Sequence, residues 1–439
     1  MAGIFKAYDI RGIYGDTLTP ELAFRIGRAF ATFLSPRKVV IGRDMRPHSK
    51  PLFDELSRGL TLQGVDVVDI GVVSTPMCYH ATGLLGVDGS IMITASHNPG
   101  EWNGFKLCRE NAIPISGATG IQEIERIAMS QAFAPEAAAP GQITCFDILP
   151  AYKRHILQFA DIRRPLKVCI DFANAMGIVE AKVFEDILPS DRLFDTLDGS
   201  FPNHEANPLD LHTFADLTAR MRVGGYDFGC AFDGDADRVG FTDENGDIIS
   251  MDIITALIAA SILEKEKGVV FYDLRSSWAV KEVIAESGGT PRMSRVGHAF
   301  IKQQMRDAGA IFAGELSGHY YFRENYSTES TALAVLHIAN LVSQSGKKLS
   351  ELVKPVRRYF ASGEINSEVA DPAAVFPRLR QAFPGGRVIE LDGLSIEFDT
   401  WWFNVRMSNT EPLCRLNLEA ATGDEMQARR DQVLALIRS

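Results

Sequence analysis

Three stretches of this chain are built alike, and they constrain its fold more than any other feature. "KVVIGRDMR" (38–46), "LKVCIDFANA" (166–175) and "GVVFYDLRSS" (268–277) are each a short β-branched run ending in polar or small residues. Each precedes a stretch with helical periodicity: "SKPLFDELSRGLTLQG", "GIVEAKVFEDIL" and "SWAVKEVIAESGG". Strand then helix, three times at a domain-sized spacing, is too long a period for a solenoid and predicts three similar α/β units. At roughly 100–200 residues per domain, the 439 residues accommodate two to four domains.

The Ala- and Pro-rich "QAFAPEAAAPG" (131–141) is the expected linker between the first and second units. A fourth unit follows "VKPVRRYFASGE". From about Ile365 it mixes short strands, a Gly-Gly turn at 385–386 and a carboxy-terminal amphipathic helix, "GDEMQARRDQVLALI", with Asp424 placed to cap it. The units so divided span 1–140, 141–248, 249–358 and 359–439.

Charge and cysteine usage exclude several function classes. Lys plus Arg total 45 against 56 for Asp plus Glu, and the formal charge of -11 disfavours nucleic acid or anionic membrane as partner. An anionic small substrate stays open, because a local Arg and Lys cluster decides binding once salt screens distant charges. The six cysteines (Cys78, Cys108, Cys145, Cys169, Cys230, Cys414) never form C-x-x-C, so neither a zinc site nor a disulfide framework is indicated. They read as reduced thiols. The start "MAGIFKAYDIRG" lacks a basic region followed by an apolar stretch, and "ALIAASIL" (256–263) is too short to cross a bilayer. A soluble, cytoplasmic protein is expected.

The chemistry is concentrated in four stretches. In "DGDADR" (233–238), Asp233, Asp235 and Asp237 stand at i, i+2 and i+4, and their mutual repulsion calls for a cation. Oxygen-only ligands favour Mg²⁺ or Ca²⁺. An EF-hand loop has the same three Asp positions, and Glu244 falls at its twelfth. Its sixth, however, needs Gly where Arg238 stands, and "GYDFGCAF" before it reads as a strand rather than a helix. A solvated acidic turn suits two carboxylates better than three abutting an apolar strand. A metal held on one short loop implies that a phosphoryl or other oxyanion completes its shell.

"IMITASHNPGEWNGFK" (91–106) runs from a buried strand into Ser96, His97 and, further on, Lys106. A serine after a strand is ordinarily loop chemistry or a helix cap. Beside a metal loop, a phosphoryl-carrying hydroxyl would supply the missing oxygen, with His97 and Lys106 to handle protons and charge. No G-x-x-x-x-G-K-[ST] is present, which argues against a P-loop nucleotidase. "GELSGH" (314–319) sets Glu315, Ser317 and His319 at alternate positions, on one side if the segment is extended, and a carboxylate between donors suits sugar hydroxyls. "RMSNTEP" (406–412) offers Arg406, Ser408, Asn409 and Thr410 to a phosphate. Arg11 in "AYDIRG" and Arg275 in "YDLRSS" would alone pass for surface charges.

With "TASHNP", "DGDADR", "GELSGH" and "RMSNTEP" in this order along the whole chain, the sequence resembles the α-D-phosphohexomutase superfamily. The resemblance implies a heart-shaped arrangement of three similar α/β domains with mixed sheets and a smaller α+β domain around a central cleft, one motif from each. It implies a phosphoserine at Ser96 and one Mg²⁺ held by Asp233, Asp235, Asp237 and the Ser96 phosphoryl group. Glu315, Ser317 and His319 would bind the sugar, and Arg406, Ser408, Asn409 and Thr410 the idle phosphate. Arg11, His97, Lys106 and Arg238 would surround the transfer site, with Arg275 and His298 of "GHAFIK" (297–302) reaching the cleft.

"GELSGH" is similar to the sugar loop of the phosphomannomutase and phosphoglucomutase branch. Phosphoglucosamine mutases usually carry Gln after the Glu, where Leu316 stands, and the mannose branch more often has Met there. The expected activity exchanges the phosphate position on a hexose through a hexose 1,6-bisphosphate, in a monomer or homodimer. Two other classes compete. A phosphoserine-dependent phosphatase has no use for a remote phosphate clamp, and a sensor that had lost catalysis would show damage to Ser96 or the aspartates, which are intact.

Overall fold

The computed structural model describes residues 3–369, 371–407 and 413–439. The three repeated runs become the central strands of three sheets: Lys38–Arg43, Val168–Asp171 and Val269–Asp273. Parallel strands flank each one: Asp66–Val72 and Gly89–Ile93 in the first unit, Ser190–Leu193 and Phe228–Phe232 in the second, Thr290–Ser294 and Phe312–Gly314 in the third. The third of these parallel strands then doubles back into an antiparallel partner, respectively Trp102–Arg109, Val239–Thr242 and Tyr320–Phe322. A further antiparallel strand lies beside that partner: Ile10–Ile13, Ile248–Ile249 and Thr328–Glu329. The repeat seen in the sequence is therefore one mixed-sheet topology used three times.

Helices follow the central strands at Ser49–Leu62, Gly177–Glu180 and Trp278–Glu286. The second is the shortest and tightens at once into a 3-10 turn at Ala181–Val183.

The stretch at 131–141 runs back along the first unit instead of leaving it. Gln63 Nε2 donates to Ala134 O at 3.0 Å and Gly141 N to Thr61 O at 2.8 Å. The strand Ile143–Cys145 then pairs with Asp66–Val72 as a sixth strand, so the first sheet continues past residue 140. The physical reason is the edge: Asp66–Val72 would otherwise present unpaired N–H and C=O groups.

The fourth unit is antiparallel, ordered Phe360–Ala361, Leu413–Ala420, Trp401–Met407, Leu394–Glu397 and Arg387–Ile389, with Ile365–Glu368 also paired to Leu413–Ala420. It carries the helices Pro372–Ala382 and Gly423–Arg438. The last helix is capped by Thr422, whose Oγ1 accepts from Glu425 N at 3.3 Å, and not by Asp424. Asp424 lies one step inside, in the first turn, where its charge meets the positive end of the helix dipole.

One apolar core runs through the first three units and includes Val40, Phe172, Val270 and Leu336. The fourth unit has its own, around Val375, Phe403, Leu418 and Ile437. No helix among the described residues is long and apolar enough to cross a membrane.

Candidate active site

The topology explains why chemistry sits where it does. In each α/β unit the third parallel strand and its antiparallel partner are joined by a short loop, and those three loops carry Ser96, the aspartate triplet and Glu315. The repeat brings them to one place. Ser96 Oγ donates to Asp233 Oδ2 at 3.0 Å, and Asp237 Oδ1 lies 3.4 Å from His319 Nε2.

Ser96 follows the fully buried strand Gly89–Ile93 and takes a left-handed backbone with φ of 53°, a conformation that surroundings must enforce for a residue with a Cβ. Arg46 enforces it. Its guanidinium donates to Ser96 O (3.0 Å), Asn98 O (2.6 Å), Pro99 O (2.6 Å) and Trp102 O (3.0 Å). Arg11 adds bonds to Ala95 O at 3.2 Å and Asn98 Oδ1 at 2.5 Å. His97 Nδ1 is 3.3 Å from Ser96 Oγ. Burial, then Arg238 and Arg11, hold this imidazole well below its ordinary pKa, so it stays neutral.

The aspartate loop presses against the serine loop backbone to backbone. A Cβ on Gly234 would stand 2.1 Å from Ser96 O, so only glycine fits. Lys106, on the strand Trp102–Arg109, reaches across with Nζ 2.6 Å from Asp235 Oδ2 and 2.5 Å from Asp237 Oδ2. Burial opposes its charge, but Asp235 and Asp237 outweigh burial and raise its pKa.

The triplet fits a divalent cation. Oxygens of Asp233, Asp235 and Asp237 lie within 4.8 Å of one another, all buried. Among the described residues Asp235 Oδ1 has no hydrogen-bond partner, and Asp237 Oδ1 has His319 Nε2 nearby, at 3.4 Å. Burial and the facing carboxylates of Asp237 and Asp235 push the Asp233 carboxyl well up, the strain that a bound cation relieves.

In the third unit, Glu315, Ser317 and His319 converge through a tight turn, with Gly318 at φ 86°, rather than by alternation along an extended segment. Five residues cannot reverse direction in an extended conformation, and the strand Tyr320–Phe322 must return antiparallel. Ser317 Oγ and Glu315 Oε2 lie 2.9 Å and 3.2 Å from His319 Nδ1. Tyr321 OH (2.5 Å) and Gly297 N (3.1 Å) donate to Glu315. Burial and Arg238 lower the His319 pKa, yet Asp237 and Glu315 at its two nitrogens prevail and lift it to about 9. The 3.2 Å approach of Arg238 Nε to His319 Nε2 is then a contact between cations screened by those carboxylates.

His298 begins the helix His298–Ala308, its Nδ1 3.7 Å from Glu329 Oε1. Arg275 pairs with Asp273 at 2.7 Å, and Arg406 with Glu364 at 2.7 Å, while Arg275 Nη1 is 3.8 Å from the same Glu364. The third and fourth units thus set two guanidiniums side by side. Ser408, Asn409 and Thr410 lie outside the described residues.

The motifs do not flag Arg46, Thr75 or Glu364. Arg46 had a signal in the repeat. Asp9 and Arg11, Asp44 and Arg46, Asp273 and Arg275 are three D-x-R pairs, bonded at 2.8, 3.1 and 2.7 Å. Thr75, whose Oγ1 donates to Asp235 Oδ2 at 2.5 Å, and Glu364 have none, because their partners lie far along the chain.

Sequence models of four domains of one family match the chain in order. They are phosphoglucomutase/phosphomannomutase alpha/beta/alpha domains I (2–135), II (150–246) and III (250–359), and the C-terminal domain (364–436). Proteins named phosphomannomutase from Salmonella montevideo and Escherichia coli K12 are each 42% identical, covering 99% of this chain and 99% and 98% of theirs. The solved structure of a phosphoglucomutase/phosphomannomutase family protein from Burkholderia thailandensis superposes with a TM-score of 0.91 at 31% identity, covering 99% of this chain and 96% of that one. Relatives that match end to end, over the same four domains, establish that the chain belongs to the phosphoglucomutase/phosphomannomutase family of phosphohexomutases.

Proposed function

We propose that this enzyme is a phosphomannomutase, reversibly converting mannose 6-phosphate to mannose 1-phosphate and also accepting glucose phosphates. One observation carries the reading: Ser96 Oγ stands 3.0 Å from Asp233 where loops of three units meet, with Lys106 and Arg238 alongside. The names of the full-length relatives support mannose as the main substrate.

In this reading Ser96 carries a phosphoryl group. A free sugar hydroxyl attacks phosphorus, the bond to Ser96 Oγ breaks, and the hydroxyl proton passes within the cleft to the departing Ser96 Oγ, leaving a hexose 1,6-bisphosphate and a free serine. The bisphosphate turns around, and its other phosphoryl group returns to Ser96. Arg11, Lys106 and Arg238 place positive charge around the transferring group, and neutral His97 sits against the Ser96 oxygen. A Mg²⁺ held by Asp233, Asp235 and Asp237 would neutralise charge on the phosphoryl group.

Glu315 keeps lone pairs for sugar hydroxyls while Tyr321 and Gly297 fix its orientation, and Ser317 and His319 add to the grip. A few polar groups suit this task better than a tightly shaped pocket, since both orientations must fit. Arg406, Arg275 and His298 face the idle end of the sugar, with Ser408, Asn409 and Thr410 following Arg406 in the chain. Closure of the fourth unit would exclude the water that hydrolyses a phosphoserine.

The test is turnover on mannose 1-phosphate and glucose 1-phosphate side by side, with the mass of the Ser96 peptide from freshly purified enzyme. Turnover of both, faster on mannose, and phosphate on Ser96 are expected. No turnover of either, or active protein phosphorylated only elsewhere, contradicts the reading.

A further inference from the structure

Glu180 is a fully buried carboxylate that the transfer reaction does not use. It ends the short helix Gly177–Glu180 of the second unit, at 0 % exposure, where three units meet. It accepts from Ser74 Oγ of the first unit at 2.5 Å, from Tyr152 OH at 2.8 Å and from Ala332 N of the third unit at 3.3 Å. Tyr152 OH is also 3.1 Å from Ser330 Oγ. Among the described residues no cation pairs with it, and burial pushes its carboxyl up to about 7 in spite of these donors. A lone buried carboxylate is costly, and an apolar side chain in its place would spare that cost.

What Glu180 holds in place is one residue from the aspartate loop on both sides. Thr75, next to Ser74, donates from its backbone N to Asp235 O at 3.0 Å and from Oγ1 to Asp235 Oδ2 at 2.5 Å. Thr331, between Ser330 and Ala332, donates from Oγ1 to Ala236 O at 2.7 Å. Ala236 itself has a left-handed backbone with φ of 59°, so the loop needs support from outside.

We propose that Glu180 is a positioning residue for the aspartate loop, fixing the helix starts at Thr75 and Thr331 as two arms that set where Asp235 and its neighbours present their oxygens. The proposal rests on the reading that Asp233, Asp235 and Asp237 hold a cation. Glu180 touches neither substrate nor metal. Its effect passes through Ser74 to Thr75 and through Ser330 and Ala332 to Thr331.

Mn²⁺, titrated as a probe and followed by electron paramagnetic resonance of the free ion, tests this directly. Glu180→Gln should weaken Mn²⁺ binding by up to about tenfold, the low end of what loss of a direct outer partner of a metal ligand costs, because Ser74 and Thr75 stand between it and Asp235. Ser74→Ala, which leaves Glu180 in place but cuts one arm, should weaken it in the same direction and serves if Glu180→Gln does not fold. A variant that melts earlier yet binds Mn²⁺ like the wild type would mean that Glu180 only glues units together, and the proposal would fail. Asp235→Asn, titrated alongside, separates the two readings. If it binds Mn²⁺ as the wild type does, or the wild type binds none, the cation assignment falls and takes this proposal with it.

Discussion

The first three units share one core, and the fourth does not. Val40, Phe172, Val270 and Leu336 belong to a single apolar cluster, whereas Val375, Phe403, Leu418 and Ile437 form a separate one. The fourth unit meets the third through polar contacts: Trp278 N to Glu419 Oε2 at 2.9 Å, Trp278 Nε1 to Glu397 Oε1 at 3.3 Å and Val296 N to Asp392 Oδ2 at 3.2 Å. The chain enters the fourth unit just before Phe360–Ala361, the first strand that pairs with Leu413–Ala420. Polar bonds exchange with water at little net cost, while opening a shared apolar core costs free energy in proportion to the area exposed. The three units that carry Ser96, the aspartate loop and Glu315 should therefore resist separation more than the polar seam to the unit that carries Arg406.

The hardest way to break the comparison is to damage the half that shares one core. Ser96→Ala should abolish turnover while leaving sugar-phosphate affinity nearly intact, measured by calorimetric titration. Next comes Asp235→Asn, which should lower kcat on the order of a thousandfold, given several kcal/mol of charge stabilisation at the phosphoryl group. Its melting curve should stay close to that of the wild type, because a cleft loop adds little to the core. Full turnover in chelator or with this variant contradicts the cation assignment.

Damage to the polar seam should be milder. Glu419→Gln weakens the acceptor for Trp278 N and Trp402 Nε1, a loss of about 1 kcal/mol that should raise KM about fivefold with kcat little changed. It should also speed protease cleavage near residue 360 and leave the first three units protected. Equal cleavage throughout would mean that the two halves are not distinct.

The smallest effect expected is one of pH. The Glu180 carboxyl rises from 4.5 to about 7 on folding because of burial, facing among the described titratable groups the Tyr152 hydroxyl, whose ring meets His80 at a tilt of 53°. A raised pKa means that the folded chain holds the proton more tightly, so this contribution is full below 4.5 and is lost as pH rises through about 7. Between about pH 5 and 8 the wild type should lose about 1–3 °C of melting temperature relative to Glu180→Gln. A constant gap would contradict the shift.

The same contrast explains what could be read from the sequence. "DGDADR", "GELSGH" and the strand run into Ser96 are legible because each places its chemistry within one loop, and the repeated strand runs show which loops are equivalent. The pairing of Ile143–Cys145 with the first sheet was not legible, since a three-residue strand leaves no periodicity to detect. Nor was Glu180. A single carboxylate in "GIVEAKV" looks like the polar side of a helix, and only the meeting of Ser74, Tyr152 and Ala332 from distant parts of the chain gives it meaning.

The central claim is that one fixed donor serves both ends of the sugar because a movable clamp holds whichever phosphate is idle. Calorimetric titration of Arg406→Ala with mannose 1-phosphate and with mannose 6-phosphate tests it most directly. Loss of a charge-assisted hydrogen bond of about 1.5–3 kcal/mol should weaken both isomers by the same factor, on the order of tenfold to a hundredfold. Their affinity ratio should then stay within about twofold of the wild-type ratio, a difference of about 0.4 kcal/mol. Weakening of one isomer alone would contradict the shared clamp, and with it the turning of the bisphosphate between two equivalent poses.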